Sequence, residues 1–267
     1  MRELDRFEDE LIDRFEEHPV LANIGRLSDE DFGEVLLQRR FLSIAFTPAY
    51  DLAIDLLRDE VGLRIARVIL REEYPDGQGY TPSHREDMKE DILRLGVPRE
   101  ALVRTRPTAE TRRAVDATFD LIADAGARDD ADLRLLTILR FWGEILVSVE
   151  YGRLWERMEP RMGREGPNRS RFYYPHHLHD AKRNSLETVS LLSTTHPDRL
   201  ARRLGELLAG GAGDEAFREA EERSLDLKAA FYDQFRDLPS LQGAPTPTPT
   251  PTPAPAPASP SSPAAAG

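Results

Sequence analysis

Apolar residues recur every three or four positions over most of the chain, which is the spacing of helices with one buried face. Near the N-terminus, for example, Leu4, Phe7, Leu11 and Phe15 share one helical face. Comparable segments follow one another as far as Phe235. Because no stretch alternates apolar and polar residues as a strand does, the pattern predicts an all-α fold, a bundle of about seven to eight helices.

Proline, glycine and capping residues divide this pattern into elements. One helix is expected to end at Pro48, and a second long helix to run from Ala49 to Glu73. The loop YPDGQGYTPS separates it from a helix capped by Thr81 or Ser83. The longest predicted helix is Asp130–Glu159, and a histidine-rich helix is expected to continue as far as Leu192.

The last part of the chain has a different composition. Thr-Pro and Ala-Pro repeats begin at Ala244 and give way to Ser, Pro and Ala up to Gly267. Such a segment carries too little apolar surface to form a core, so a solvated spacer is expected. The sequence therefore predicts one helical domain at residues 1–238 and a disordered tail at residues 239–267.

Charge and cysteine content exclude several classes of protein. The net charge is −12 and no block of Lys and Arg occurs, which argues against nucleic-acid and anionic-membrane binding. The chain has no cysteine, so disulfides, thiolate metal sites and a cysteine nucleophile are excluded. The charged start MRELDRFEDE and the lack of a long apolar run predict a cytoplasmic protein without a membrane span.

Candidate chemistry is concentrated in the stretch Phe172–His196, which contains four of the six histidines. A helix advances about 100° per residue. One narrow face of a helix here would carry His176, His179, Asp180, Arg183 and Glu187. Imidazole and carboxylate are the donors that iron, manganese and zinc accept. The alternative is a solvated helix start after Pro175, in which Asp180 forms an ordinary ion pair with Arg183.

Three further groups interrupt apolar stripes elsewhere. Glu73 continues the stripe of the preceding helix, although Glu72 on the same turn is an alternative inward carboxylate. His84 falls in the first turn of the next helix, where the helix dipole favours its neutral form. Glu150 interrupts the stripe of the longest helix, and the alternative is a carboxylate paired with Arg153. Helical bundles build metal sites from such groups on facing helices.

These residues resemble those of the haem-oxygenase-like di-metal oxidases and oxygenases. The resemblance covers the chain up to about Leu238 and rests on REEYPDGQGYTPSH, on SVEYGRLW and on the H-x3-D of the histidine helix. It implies a haem-oxygenase-like bundle with two ferrous ions per chain. The ligands that it implies are Glu73, His84, Glu150, His176 and Asp180.

The sequence departs from that family at one ligand position. The family pattern continues H-x3-D-x2-H, and Arg183 stands at its last position. Arginine keeps its proton and repels a metal ion. Either His179 supplies the missing imidazole, with His177 a weaker substitute, or the chain holds one ion or none. Arg183 itself is then a candidate for binding a substrate carboxylate.

The resemblance implies an O2-dependent oxidase or oxygenase of specialised metabolism, with an external reductant and a small amine, amino acid or fatty acid as substrate. It also implies a homodimer. One alternative is a metal-free oxidase like the quinone-cofactor (PQQ) synthases, and another is a binding protein with a decayed metal site; thiaminase-like chemistry needs the absent cysteine. In the decayed case, Glu73 and Glu150 are expected in ion pairs with arginines.

Overall fold

The computed structural model describes residues 1–75, 77–78, 80–187, 195–209 and 213–242. Its regular elements are helices, with one isolated bridge between Gly163 and Arg169, so the predicted all-α fold is confirmed. None of the helices within these ranges combines the length and the apolarity that a membrane crossing requires. The α-helices are α1 (Arg2–Glu16), α2 (Asp29–Leu56), α3 (Glu60–Glu72), α4 (His84–Arg94), α5 (Arg99–Arg104), α6 (Ala109–Gly126), α7 (Ala131–Arg140), α8 (Leu146–Met158), α9 (Tyr173–His179), α10 (His196–Leu208), α11 (Asp214–Asp233) and α12 (Pro239–Gln242).

Several helices begin where the sequence signals predict. The side chain of Ser28 accepts a hydrogen bond from the backbone of Asp31 at the start of α2. Ser83, not Thr81, caps α4, and Glu86 completes the reciprocal bond of a capping box. Thr108 caps α6 by accepting a hydrogen bond from the backbone of Thr111. Local hydrogen bonding by short polar side chains therefore sets these boundaries.

The predicted break between the second and third helices is misplaced. α2 continues through Pro48 to Leu56, and the chain becomes extended only at Leu57. Asp59 then caps α3 by accepting the backbone N–H of Gly62 at 2.6 Å. A proline removes one helical hydrogen bond, and the buried contacts on both sides of α2 compensate for that loss.

The longest helical segment is confirmed as a continuous element, but it contains an irregularity. α7 is joined to α8 by one π-helical turn, Phe141–Ile145. Residues 135–148 are buried without exception. One apolar cluster surrounds α8 together with α4, α9 and the first half of α2. A second cluster surrounds α7 together with α3, α10 and the second half of α2.

The predicted boundary of the domain falls at a short helix. Ser240 in α12 donates its backbone N–H to Asp31 at 3.0 Å, and its hydroxyl accepts from the backbone of Ser28 at 2.8 Å. Residues 239–242 are thus attached to the start of α2. The rest of the predicted tail, residues 243–267, lies outside the described residues.

A buried ionic network joins α1, α7 and α11 on the side of the bundle next to the start of α10. Arg140 donates two hydrogen bonds to the carboxylate of Glu8, and Lys182 lies 2.8 Å from the same carboxylate. Burial opposes ionisation of Glu8, but Arg140 overcomes it and lowers the Glu8 pKa to about 2. Burial and the neighbouring Glu8 raise the pKa of Glu221 well above its ordinary value. Glu8 is therefore the ionised partner, and Glu221 holds a proton.

We expect Glu221→Gln to stabilise the protein near pH 8. A carboxyl whose pKa is raised by folding contributes stability below its unfolded pKa and loses that contribution as the pH rises. Glutamine removes this penalty, so the free energy of unfolding should rise by at least about 1 kcal/mol near pH 8 and change little near pH 4. Urea denaturation at both pH values measures it. Glu219→Gln on the same helix is the control, since Glu219 is half-exposed and paired with Arg134; an equal gain there would contradict the explanation.

Candidate metal centre

The first group of donor atoms comes from three separate elements. Glu73 follows the last turn of α3, His84 opens α4, and His176 lies in α9. His84 Nδ1 lies 2.9 Å from Glu73 Oε1 and 3.2 Å from His176 Nε2. One ligand atom from each of the three residues falls within 4.8 Å of the others. The structure thus brings together three of the predicted ligands, and this trio is called cluster 1.

The orientation of His176 is fixed by its surroundings. Asp91 on α4 accepts hydrogen bonds from Ser170 Oγ at 2.7 Å and from the backbone of Phe172 at 2.9 Å, which anchors the start of α9. His176 Nδ1 donates to the carbonyl of Phe172 at 2.7 Å. Its proton is therefore on Nδ1, and the lone pair of Nε2 points at cluster 1.

The second group, called cluster 2, lies where α9 ends. His179 Nδ1 lies 2.5 Å from Asp180 Oδ1, and His196 Nδ1 lies 3.6 Å from the same oxygen. One ligand atom of each again falls within 4.8 Å of the others. His179, the predicted substitute for the missing imidazole, therefore joins Asp180, and His196 at the start of α10 adds a second imidazole that sequence reasoning did not include.

Two more carboxylates border cluster 2. Glu144 in the π-helical turn accepts a hydrogen bond from the hydroxyl of Tyr50 and lies 3.1 Å from His196 Nδ1. Glu72 lies 3.1 Å from the other nitrogen of His196. The close approach of Tyr50 depends on Gly143, because a Cβ there would lie 3.1 Å from the tyrosine ring. Both members of the Glu72/Glu73 pair thus face histidines, Glu73 in cluster 1 and Glu72 beside cluster 2.

A row of imidazole rings connects the clusters. The ring centroids of His84 and His176 lie 4.6 Å apart, those of His176 and His179 lie 4.8 Å apart, and those of His179 and His196 lie 5.5 Å apart. Cluster 1 and cluster 2 are therefore neighbours in one site.

Burial determines the protonation of the donors. Burial lowers the pKa of His176 well below its ordinary value and that of His179 to about 4, so both rings are neutral at pH 7. The pKa of Asp180 is raised well above its ordinary value by burial and by the adjacent Glu144. The pKa of His196 shifts in the opposite direction, because its hydrogen bond to Glu144 outweighs burial and raises it. Protons thus occupy positions that a cation would compete for.

The structure places Glu150, a predicted ligand, outside both clusters. Glu150 is fully buried and accepts hydrogen bonds at 2.9 Å from Arg39 Nε, Lys228 Nζ and the hydroxyl of Tyr232. It is absent from the residues that line the cavity of the site. The charged partners of Glu150 are thus an arginine and a lysine. Arg153, the alternative partner predicted from the sequence, pairs instead with Glu16 and Glu156.

Arg183 also lies elsewhere. α9 ends at His179, so the helical spacing that aligns Arg183 with His176 does not apply. The side chain of Arg183 is exposed and donates to the carbonyl of Leu178 at 2.9 Å. His177 packs against Gly152 and lies 3.1 Å from the carbonyl of Ser148. The residues predicted beyond 187 in this helix include 188–194, which lie outside the described residues.

A cavity of about 390 Å³ adjoins both clusters. Its wall contains donors from each cluster and aromatic or aliphatic side chains from both apolar clusters of the core. The apolar part of the wall includes Leu42, Ile44, Phe46, Ile69, Met88, Trp142, Val147 and Phe172. A volume of this size suits a small organic molecule.

Comparisons with known proteins identify the fold. No protein-family model and no curated protein matches the chain. A TenA homologue from Pseudomonas syringae pv. tomato is 14% identical, with a TM-score of 0.63 over 89% of this chain and 92% of its own. A domain of unknown function with a heme oxygenase-like fold from Shewanella denitrificans is 15% identical, with a TM-score of 0.60 over 88% and 90%. A CADD-like protein of unknown function from Nostoc punctiforme is 13% identical, with a TM-score of 0.59 over 88% and 95%. At such identities the likeness concerns the fold alone, and the predicted haem-oxygenase-like fold is confirmed.

Proposed function

We propose that this haem-oxygenase-like protein is a non-haem di-iron enzyme that uses O2 to oxidise a small organic substrate. The observation that carries the proposal is the pair of clusters, each with two imidazoles and one carboxylate, in one largely apolar cavity. Mixed nitrogen and oxygen donors of this kind suit iron. Glu73, His84 and His176 would hold one ion, and His179, Asp180 and His196 the other.

The donor groups of the two clusters carry negative charge that bound cations would balance. Four carboxyl groups converge on the two clusters, and burial together with the adjacent Glu144 raises the pKa of Asp180 well above its ordinary value. Carboxylates that crowd together in a buried site repel one another unless protons or metal ions intervene. Neutral His176 and His179 are ready to donate their lone pairs. Two divalent ions would replace the protons and balance this charge.

When bound, two ferrous ions would supply two electrons to O2, and an external reductant would restore the ferrous state after each turnover. The residues of this chain would provide the surroundings for that reaction. Tyr50 and His196 hold Glu144 in place from two sides. Phe46, Ile69 and Trp142 form part of a wall that keeps bulk water from the reacting groups. The substrate would occupy the cavity beside both clusters.

The two acids predicted from the sequence, Glu73 and Glu150, have different partners in the structure. Glu150 pairs with Arg39 and Lys228, as expected for a decayed site. Glu73 instead lies against His84 in cluster 1, as expected for a metal site. Since Glu144 and Glu72 supply carboxylates where Glu150 does not, the ligand set does not depend on Glu150. These contacts favour the metal enzyme over a metal-free oxidase or a binding protein.

Anaerobic loading with Fe(II) tests the proposal directly. We expect elemental analysis of the full-length chain to give about two irons per chain, since each cluster offers three donors. Addition of O2 should then change the optical absorption spectrum. Arg183→Ala is a matched control and should keep both irons, because Arg183 is exposed and outside the cavity wall.

Failure to retain iron after loading, with no optical change on adding O2, would overturn the di-iron assignment and favour a metal-free oxidase or a binding protein. Loss of iron in Arg183→Ala would contradict the position that the structure gives to that residue.

A further inference from the structure

Two buried cations that belong to neither donor cluster also contribute to the cavity wall. Arg39 on α2 and Lys228 on α11 both line the cavity, and their side chains are almost completely buried. Both bond to Oε1 of Glu150, which does not line the cavity. The cations therefore stand between the cavity and the carboxylate that they share.

The charges of this group do not balance. Arg39 and Lys228 together carry two positive charges, and Glu150 carries one negative charge. The other polar partners are hydroxyls: Ser43 accepts from Arg39 at 2.8 Å, Tyr151 lies 3.0 Å from Ser43, and Tyr232 donates to Glu150. Burial raises the pKa values of both tyrosines, so they remain neutral. One positive charge is left over in a buried position, which is costly without a counter-ion.

Trp142 is the aromatic neighbour of Lys228 in the cavity wall. Lys228 Nζ lies 5.6 Å from the ring centroid of Trp142, which also lines the cavity. The indole N–H of Trp142 is buried and has no acceptor among the described residues. Burial lowers the pKa of Lys228 to about 8, although Glu150 opposes the shift, so the ammonium form still predominates at pH 7. The wall beside Lys228 thus carries positive charge, whereas the carboxylates that line the cavity lie in or beside the two donor clusters.

We propose that Arg39 and Lys228 form an anion subsite that binds the carboxylate of the substrate. Anion binding by these two residues does not depend on the proposed function; only the statement that the anion is the substrate rests on it. An anion here would neutralise the surplus charge and accept hydrogen bonds from donors that are already held in position. The role considered for Arg183 in the sequence thus falls to residues on two other helices.

The position of the subsite restricts the substrate. Arg39 Cζ lies 5.0 Å from the ring centroid of Tyr151, and that centroid lies 6.0 Å from the ring centroid of His176. Only about one aromatic ring therefore separates the cation from cluster 1. An acid bound here would present to the iron site a carbon only a few bonds from its carboxylate. The class that fits is a compact carboxylic acid or amino acid, and a simple amine is disfavoured because its charge would repel both cations.

Ligand pairs that differ only in charge provide the test. Benzoate and benzamide, and hexanoate and hexanamide, would be titrated into the full-length chain freed of metal by a chelator, with binding followed by NMR. Without metal, a carboxylate cannot gain affinity by ligating iron. We expect each acid to bind at least about tenfold more tightly than its amide, as is typical of hydrogen bonds to charged groups. Equal affinities within both pairs would overturn the proposal.

A variant that lacks the charge of Lys228 tests whether this residue causes the tighter binding of acids. Lys228→Met leaves Arg39 and Glu150 as a balanced pair, so it should fold, and it should reduce the preference for the acids to within about twofold, whereas Lys228→Arg should retain it. Lys89→Met, at a half-exposed lysine of α4, is the control. A preference that survives in Lys228→Met would overturn the assignment. Iron content measured on the same proteins separates the two proposals. A wild-type protein that prefers acids but binds no iron would support the anion subsite and contradict the proposed di-iron enzyme.

Discussion

In the proposed di-iron centre, replacing His196 by alanine is expected to lower the iron content from about two ions per chain to about one. His196 supplies one of the two imidazoles of cluster 2, and its loss leaves His179 and Asp180 as the only members of that trio. Two donors hold a ferrous ion weakly compared with three, since each lost ligand is replaced by water. His196 does not belong to cluster 1, so the ion in cluster 1 should remain.

Elemental analysis after Fe(II) loading and desalting measures this change. His177→Ala is the matched control, because His177 lies on α9 between the proposed ligands His176 and His179 but bonds to the backbone of Ser148. It should retain both ions. Retention of two ions in His196→Ala would show that Glu144 or Glu72 completes cluster 2 without His196, and loss from both variants would indicate general damage to α9 and α10. The optical response to O2 should be lost in His196→Ala if both ions are required.

The sequence predicted the donors of cluster 1 because each has a local signal. Glu73 extends an apolar stripe, His84 follows the capping residue Ser83, and His176 lies in a dense histidine motif. These signals depend on spacing and capping within a few residues, so they can be recognised without knowledge of tertiary contacts. The all-α fold follows from the same spacing over the whole chain.

Glu144 was missed because its helix departs from regular spacing. Counting by the α-helical period places Glu150 on the stripe of Leu139 and Gly143, but the π-helical turn Phe141–Ile145 inserts an additional residue and shifts the register. Apolar patterning gives no warning, since residues 135–148 are buried on every side. The available signal was the carboxylate of Glu144 within this buried run, because a fully buried acid requires a partner.

His196 and Arg183 show a second limit, which concerns where a helix ends. Periodicity continued the histidine helix beyond Asp180 and assigned Arg183 to the ligand face. In the structure α9 ends at His179, and the second imidazole of cluster 2 comes from the start of another helix. Long-range contacts that no local pattern encodes hold this arrangement: Asn184 donates to Asp198 at 2.6 Å, and the backbone of Leu186 donates to Asp5 at 2.7 Å.

Arg140→Leu is expected to destabilise the protein by about 3–5 kcal/mol, the usual cost of removing one partner of a buried ion pair. Arg140 is fully buried and makes two hydrogen bonds to Glu8, and its Nε donates to the carbonyl of Pro197 at 3.2 Å. The variant leaves the carboxylate of Glu8 with Lys182 as its remaining cation. Urea denaturation near pH 7 measures the loss. Arg134→Leu on the same helix, whose partners Asp130 and Glu219 are partly exposed, should cost no more than about 1 kcal/mol.

The pH dependence identifies the cause of this loss. Glu8 has its pKa lowered to about 2 by folding, so its contribution to stability is present above its unfolded pKa and disappears as the pH falls towards 2. The difference between wild type and Arg140→Leu should therefore shrink as the pH is lowered from about 5. A cavity left by the shorter side chain would instead give a loss independent of pH. Removing both charges, in Arg140→Leu with Glu8→Met, should recover much of the stability near pH 7, because no buried charge is then left without its partner.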